Sequence, residues 1–287
     1  MRSACWRVCR VTWLATKDSV FCVCDRIFYV AGECVSDVAL LLAAAFSAGF
    51  VDAAVGGGGL IQIPALFLFM PGISPATLLG TNKLAGIFGT CAAAVSYSRR
   101  IKFRWNVALP ATLAAFALAF AGAYSVTLVD GAVVRKALPF ILIAVAVYTF
   151  KKKGFGQLST PRYAGSKERC LALGTGGLIG FYDGFFGPGT GSFLIFSFVR
   201  IFGFDFLSAS ATAKVVNVAC NLAALLWFWR SGHVLWQLGL SMAVFNVLGS
   251  LLGSRLAIAR GSEFVRKLFL TVVGVLILKT GYDAFMV

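Results

Sequence analysis

Aspartate and glycine occur together twice in apolar surroundings. The first tract is Gly49-Phe-Val-Asp52-Ala-Ala-Val-Gly56-Gly-Gly-Gly59, and the second is Gly180-Phe-Tyr-Asp183-Gly-Phe-Phe-Gly187-Pro-Gly189-Thr-Gly191. Each is followed by a lysine inside a further apolar run, Lys83 and Lys214. Asp52, Lys83, Asp183 and Lys214 are the ionisable residues set well inside apolar segments. A charge at the centre of a bilayer costs about 2.5–3.5 kcal/mol on insertion scales, so all four need compensation. One reading is structural: two Asp–Lys ion pairs, one per tract, that lock helices together. The other is functional: the lysines lend positive potential to an anion site, and Asp52 and Asp183 balance or gate them. The two readings are compatible.

The glycines point to a second kind of chemistry. Four in a row would weaken a helix by about 1 kcal/mol each relative to alanine, which is more than close packing requires. An apolar helix restarts after Gly59 and after Gly191, and a restart exposes unpaired N–H groups and the positive end of a helix dipole. Two such ends facing each other would cradle an anion. The candidate contacts are therefore the backbone of Gly57, Gly58 and Gly59 and of Gly189, Thr190 and Gly191. Thr81 and Asn82 beside Lys83, and Asn217 one turn beyond Lys214, add donors. Asn221, Gln62, Asn246 and Ser250 are weaker candidates of the same kind. His233 is the only histidine and is expected in a loop. The sequence contains no H-E-x-x-H, no G-x-S-x-G and no Walker lysine loop, so metalloprotease, serine hydrolase and ATP-driven chemistry are not encoded. It also has no C-x-x-C pair among its eight cysteines, and nothing calls for a metal or cofactor.

The elements that must position these residues follow from a duplication. Asp52 and Asp183 are 131 positions apart, and the same offset relates Thr81 to Thr212, Lys83 to Lys214, Trp105 to Trp236, Gly122 to Gly253 and Arg135-Lys136 to Arg266-Lys267 without a gap. The 287 residues are 59% hydrophobic and 13% charged, with a mean hydropathy of +0.87. Soluble domains carry about 45–50% apolar and about 25% charged residues. The pattern predicts an all-α polytopic membrane protein built from two repeats. Residues 1–36 form an N-terminal extension expected to be poorly ordered, 37–150 the first transmembrane repeat, 151–169 a basic linker and 170–287 the second repeat. Each repeat holds five apolar segments, roughly 38–55, 60–70, 76–97, 107–129 and 137–150, then 171–186, 192–202, 206–229, 235–258 and 268–284. The second of each is short for a crossing and reads as a broken or re-entrant helix at the centre. Whether each repeat crosses five times, or three times plus a re-entrant pair, stays open.

The net charge of +15 sits mainly in short loops, which is an orientation signal in membrane proteins and argues against nucleic acid as a partner. Placing the linker inside puts Arg99–Arg104, Arg200, Arg255, Arg260, Arg266 and Lys267 on the same side and leaves Arg135, Lys136 and Arg230 outside. It also leaves the basic extension outside, against the rule. Matching loops then fall on opposite sides, so the repeats are expected to have inverted topology, related by a pseudo-two-fold axis in the membrane plane.

Four stretches carry a resemblance: Ala48-Gly-Phe-Val-Asp52 through Gly59-Leu-Ile, Gly80-Thr-Asn-Lys83-Leu, Gly180-Phe-Tyr-Asp183 through Gly191-Ser, and Thr212-Ala-Lys214. In these the chain resembles the TauE/SafE family of sulfite-exporter-like membrane permeases, in its bacterial inner-membrane branch, from about residue 38 onward. The resemblance implies a multi-pass bacterial inner-membrane protein that passes small sulfur-containing or organic anions such as sulfite or sulfonates. The combined expectation is a secondary transporter for a small anion, not an enzyme, with the linker cytoplasmic. The alternatives are an anion channel or, third, a non-transporting membrane protein. The expected partners are the substrate and the lipid bilayer, and homo-oligomerisation is left open.

Overall fold

The computed structural model describes the backbone of residues 14–16, 19–21, 23–24, 27–28, 35–150 and 162–286, and the side chains of 37–141, 144 and 162–261. The expected disorder of residues 1–36 falls largely outside these, as does the first part of the linker. Two small antiparallel hairpins pair Leu14–Thr16 with Ser19–Phe21 and Val23–Cys24 with Ile27–Phe28. Among the described residues from 35 onward every regular element is a helix: α1 (Val35–Val55), α2 (Gly59–Phe69), α3 (Pro75–Ser98), α4 (Trp105–Thr127), α5 (Gly131–Phe150), α6 (Gly165–Phe185), α7 (Thr190–Phe202), α8 (Phe206–Arg230) and α9 (Trp236–Met286).

Local chemistry sets the boundaries. Ser74 caps α3 by accepting the Thr77 N–H at 3.3 Å, with Pro75 in the first helical position, where its missing N–H costs nothing. Asp205, its counterpart in the second copy, caps α8 by accepting the N–H groups of Leu207 and Ser208, each at 3.0 Å. Asp130 starts α5 by accepting the Ala132 N–H at 2.9 Å. Its counterpart is Gly261, where α9 breaks at φ 70°. The expected segments 235–258 and 268–284 therefore join through a kink without a loop. A second boundary differs from expectation. Helix α6 begins at Gly165, inside the stretch read as linker, because Ser166–Arg169 continue its helical pitch into a charged first turn containing Glu168. An acidic residue there meets the positive end of the dipole.

Among the described residues, five helices are long and apolar enough to cross a membrane: Asp37–Val55, Pro75–Ser98, Trp105–Thr127, Phe206–Arg230 and Trp236–Gly261. α2 and α7, with 11 and 13 residues, reach only about 17 and 20 Å at a rise of about 1.5 Å per residue. Large apolar side chains such as Leu68, Leu128, Phe140 and Leu178 point outward, as expected where the surroundings are acyl chains.

Packing partners are exchanged between the copies. α1 packs on α9, and α6, its sequence counterpart, packs on α4. The contacts match residue by residue. A Cβ on Gly49 would lie 2.1 Å from the carbonyl oxygen of Asn246, and one on Gly180 would lie 2.5 Å from the Cα of Ala115, the position equivalent to Asn246. Gly253 meets Phe50 as Gly122 meets Phe181. Backbones this close leave no room for a side chain, which is how small residues bring membrane helices together. The core between them is accordingly rich in alanine, including Ala111, Ala115, Ala119 and Ala172.

Candidate functional site

Both glycine tracts break the helix within the protein interior. Helix α1 ends at Gly56, with φ of 80°, and α6 is followed by Gly187, with φ of 88°. These equivalent positions adopt left-handed backbone that a side chain would oppose. A buried helix end leaves carbonyls without partners. At α1 they are taken up one by one: Ala53 O accepts from the Tyr97 hydroxyl at 2.9 Å, Ala54 O from Ser210 Oγ at 3.4 Å, Val55 O from Ser192 Oγ at 3.3 Å and Gly56 O from the Ser192 N–H at 2.9 Å. Three of these four donors lie in the second copy, so the two breaks are joined to each other. The second break is held by the Tyr182 hydroxyl, which donates to Pro188 O at 2.6 Å.

The N-terminal sides of the breaks are different. Among the described residues, the amides of Gly57, Gly58, Gly59, Gly189 and Gly191 donate to no protein acceptor. They belong to the starts of α2 and α7, where N–H groups and the positive dipole end converge. At the first break the carbonyls that end α1 are paired, while at both breaks several donors are left open.

The four intramembrane charges flank this region. Lys83 of α3 donates to Asp183 of α6 at 2.5 Å, with the two side chains 3% and 2% exposed. Lys214 of α8 donates to Asp52 of α1 at 2.9 Å, with Asp52 15% exposed. The expectation of one pair per copy is corrected here: each pair links the two copies. The reason lies in the packing. α6 lies on α4 and α8, and Lys83, two turns into α3, reaches the second break, where a Cβ on Gly187 would lie 3.1 Å from its Nζ. Each aspartate also sits in the last turn of its helix, where the dipole end is negative, so it needs a cation from elsewhere.

A cavity of about 40 Å³ opens between the breaks. By the space a water needs, it holds a few waters or one small oxyanion. Gly58, Gly59, Gly189, Thr190 and Gly191 line it, together with Asp52, Asn82, Lys83, Asp183 and Asn217. Three expected contacts lie elsewhere. Gly57 turns toward Val51 and Leu60. The Thr81 hydroxyl is committed, donating to Thr77 O at 2.7 Å and accepting the Leu235 N–H at 3.0 Å. Lys214 is fully buried behind Asp52 and does not reach the lining. His233 sits in the loop before α9, with Nδ1 3.2 Å from Thr77 Oγ1.

The wall also contains Gln62, Asn221 and Asn246, treated above as weaker candidates, and Gly86 and Thr90, which were missed. A signal was present for the last two. The 131-residue offset equates Gly86 with Asn217 and Thr90 with Asn221. Thr90 and Asn221 also touch each other, Asn221 Nδ2 donating to Thr90 Oγ1 at 3.4 Å. Among the described residues no three of His, Cys, Asp and Glu cluster as a metal site requires.

Comparison with known proteins places the chain among membrane transporters. The family described as Sulfite exporter TauE/SafE matches residues 41–280. "Probable membrane transporter protein ORF9" of Sinorhizobium sp is 43% identical over 82% of this chain and 88% of its own length. "Probable membrane transporter protein YfcA" of Escherichia coli (strain K12) is 36% identical over 85% and 90%. A "Probable membrane transporter protein" of Haemophilus influenzae is 35% identical over 86% and 95%. No solved structure matches the chain significantly.

Proposed function

The chain belongs to the Sulfite exporter TauE/SafE family of membrane transporters, and from that premise we propose that it is a secondary permease that carries a small oxyanion, such as sulfite or a sulfonate, through the cavity between its two helix breaks. One observation carries the reading. The carbonyls at the buried end of α1 are satisfied, whereas the amides of Gly58, Gly59, Gly189 and Gly191, residues that line the cavity, donate to no protein acceptor among the described residues. Donors converging on a site flanked by helix N-termini favour an anion. The two ion pairs neutralise their own charges, so the anion meets a polar site without excess positive charge to hold it too tightly for release.

The reading includes inverted repeats in the bacterial inner membrane, with residues 151–169 cytoplasmic. The exchanged packing of α1 on α9 and α6 on α4, and the contact between equivalent residues Thr90 and Asn221, support an axis that exchanges the copies. Transport would follow from rocking one helix group against the other around the breaks. It is a permease, not an enzyme. The test is flux of sulfite, thiosulfate, methanesulfonate and acetate in proteoliposomes containing the purified protein. Accelerated exchange by substrate on the far side supports a carrier. Steady current without exchange makes it a channel, and no flux of any anion overturns the reading.

A further inference from the structure

Gln62 stands in the first turn of α2 and lines the cavity. It is 2% exposed, and its Nε2 is the buried side-chain polar atom that has no partner among the described residues. A buried donor without an acceptor is unfavourable, so a fold that keeps one points to something that occupies the space in front of it.

The orientation of this amide is determined by its neighbours. Asn246 of α9 donates through Nδ2 to the carbonyl of Ala45 at 3.2 Å and to Gln62 Oε1 at 2.9 Å. The Ala45 oxygen is a backbone acceptor and cannot be reversed. Turning Asn246 around would set its own oxygen against that carbonyl, so its two protons stay where they are. Gln62 must then present Oε1 to Asn246, which leaves both Nε2 protons without an acceptor in the wall of the cavity. The arrangement depends on a bare Gly89, since a Cβ there would lie 1.8 Å from Asn246 Oδ1. It also occurs on one side only. The positions equivalent to Gln62 and Asn246 are Phe193 and Ala115, and Phe193 packs edge-on against Tyr182.

We infer that Gln62 is a substrate-binding residue, that its Nε2–H donates to an unprotonated oxygen of the carried anion, and that Asn246 is the positioning residue that aims it. The inference rests on the anion-permease reading and adds asymmetry to it: Gln62 grips the substrate from the first copy's side, where the equivalent position of the second copy is the apolar Phe193. The substrate class is therefore an oxyanion offering a free acceptor oxygen at that point.

The test uses purified full-length protein and calorimetric titration with sulfite, thiosulfate, methanesulfonate and acetate, comparing the wild type with Gln62→Glu and Gln62→Met. Gln62→Glu keeps an oxygen for Asn246 and removes the donor. It should weaken binding of the best wild-type anion by roughly tenfold or more, and lowering the pH should restore part of the loss, relative to wild type, as the carboxyl gains a proton to donate. Gln62→Met should weaken binding similarly with no recovery at low pH. Binding by both variants within about twofold of wild type would overturn the role of Gln62 while leaving the permease reading intact. Weakened binding in Gln62→Glu that is indifferent to pH would also count against it, as a loss of shape and not of a donor. A wild type that binds none of the four anions would remove the permease reading and this inference together.

Discussion

Lys83 and Asp183 are 100 positions apart in the chain and form a buried ion pair at 2.5 Å that joins the first copy to the second. Lys214 and Asp52 repeat the connection in the opposite sense. Neither copy can therefore form its own neutral interior. The charges that make each helix break unfavourable in isolation are cancelled only when the two copies assemble.

This makes single and double replacements differ. Lys83→Met should leave the buried Asp183 carboxylate uncompensated and lower stability by about 3–5 kcal/mol, read as a large drop in the apparent melting temperature of the purified protein. Lys83→Met combined with Asp183→Leu removes both charges and should recover most of that stability, since replacing a whole buried pair by apolar groups is often neutral. If the double variant melts as low as the single one, the pair is not the source of the effect.

The breaks should be intolerant of a single methyl group where open helix is not. A Cβ at Gly191 would lie 2.5 Å from the Gly56 backbone, so Gly191→Ala should separate the breaks, lower stability by about 1–3 kcal/mol as overpacking does, and abolish flux. Gly174 in α6 has nothing within 4 Å of an added Cβ, and Gly174→Ala should be neutral or stabilising by about 0.5–1 kcal/mol. Parallel melts and flux assays on the two variants check this, and equal behaviour would remove the claim that the contact between breaks matters.

A polar link outside the cavity should also be measurable. Arg104, at the start of α4, pairs with Glu168 in the first turn of α6, donates to Phe202 O at 3.4 Å and covers the Phe204 ring at 4.9 Å. The equivalent positions in the other copy are Leu235 and Asp37, so the latch exists at one end of the molecule only. Arg104→Leu should lower stability by about 1–3 kcal/mol, a range reduced from that of a buried pair because the arginine side chain is 33% exposed. Adding Glu168→Gln should recover part of it, and simple additivity of the two in a double-mutant cycle would show that the residues do not act as a pair.

Much of this architecture was legible from one number, the 131-residue offset. It located both breaks and all four charges, because a duplicated chain repeats its unfavourable residues only where both copies use them. The starts of α3 and α8 were readable to within a residue, expected near 76 and 206 and found at Pro75 and Phe206, whereas α5 begins at Gly131, six residues before the expected 137, because Asp130 caps it ahead of its apolar run. Pairing was not readable. Local spacing suggested that Asp52 meets Lys83, yet the partner depends on which helices pack, and that is decided by close contacts at Gly49, Gly122, Gly180 and Gly253. Thr81 illustrates a different limit. Its neighbours in sequence face the cavity, but the Leu235 amide arrives from a distant loop and takes its hydroxyl. The open donor of Gln62 was unreadable for the same reason, since it depends on Asn246, 184 positions away.

The two lysines, equivalent in sequence, should differ in function. Lys83 lines the cavity, so its ammonium can act on a bound anion as well as on Asp183. Lys214 is fully buried behind Asp52 and reaches the cavity only by holding that carboxylate in place. Both lysine-to-methionine variants should be less stable, but among molecules that remain folded Lys83→Met should raise the substrate concentration needed for half-maximal flux by roughly tenfold or more, the loss of one charge-assisted contact. Lys214→Met should act mainly on the folded fraction and the maximal rate. Lys83→Ala with Lys214→Ala should abolish flux while the protein still inserts. Reconstituting each variant at equal folded content and measuring initial rates against sulfite concentration separates these outcomes. A larger affinity loss in Lys214→Met than in Lys83→Met would mean that the anion binds on the Asp52 side of the cavity and that the assignment of Lys83 is wrong.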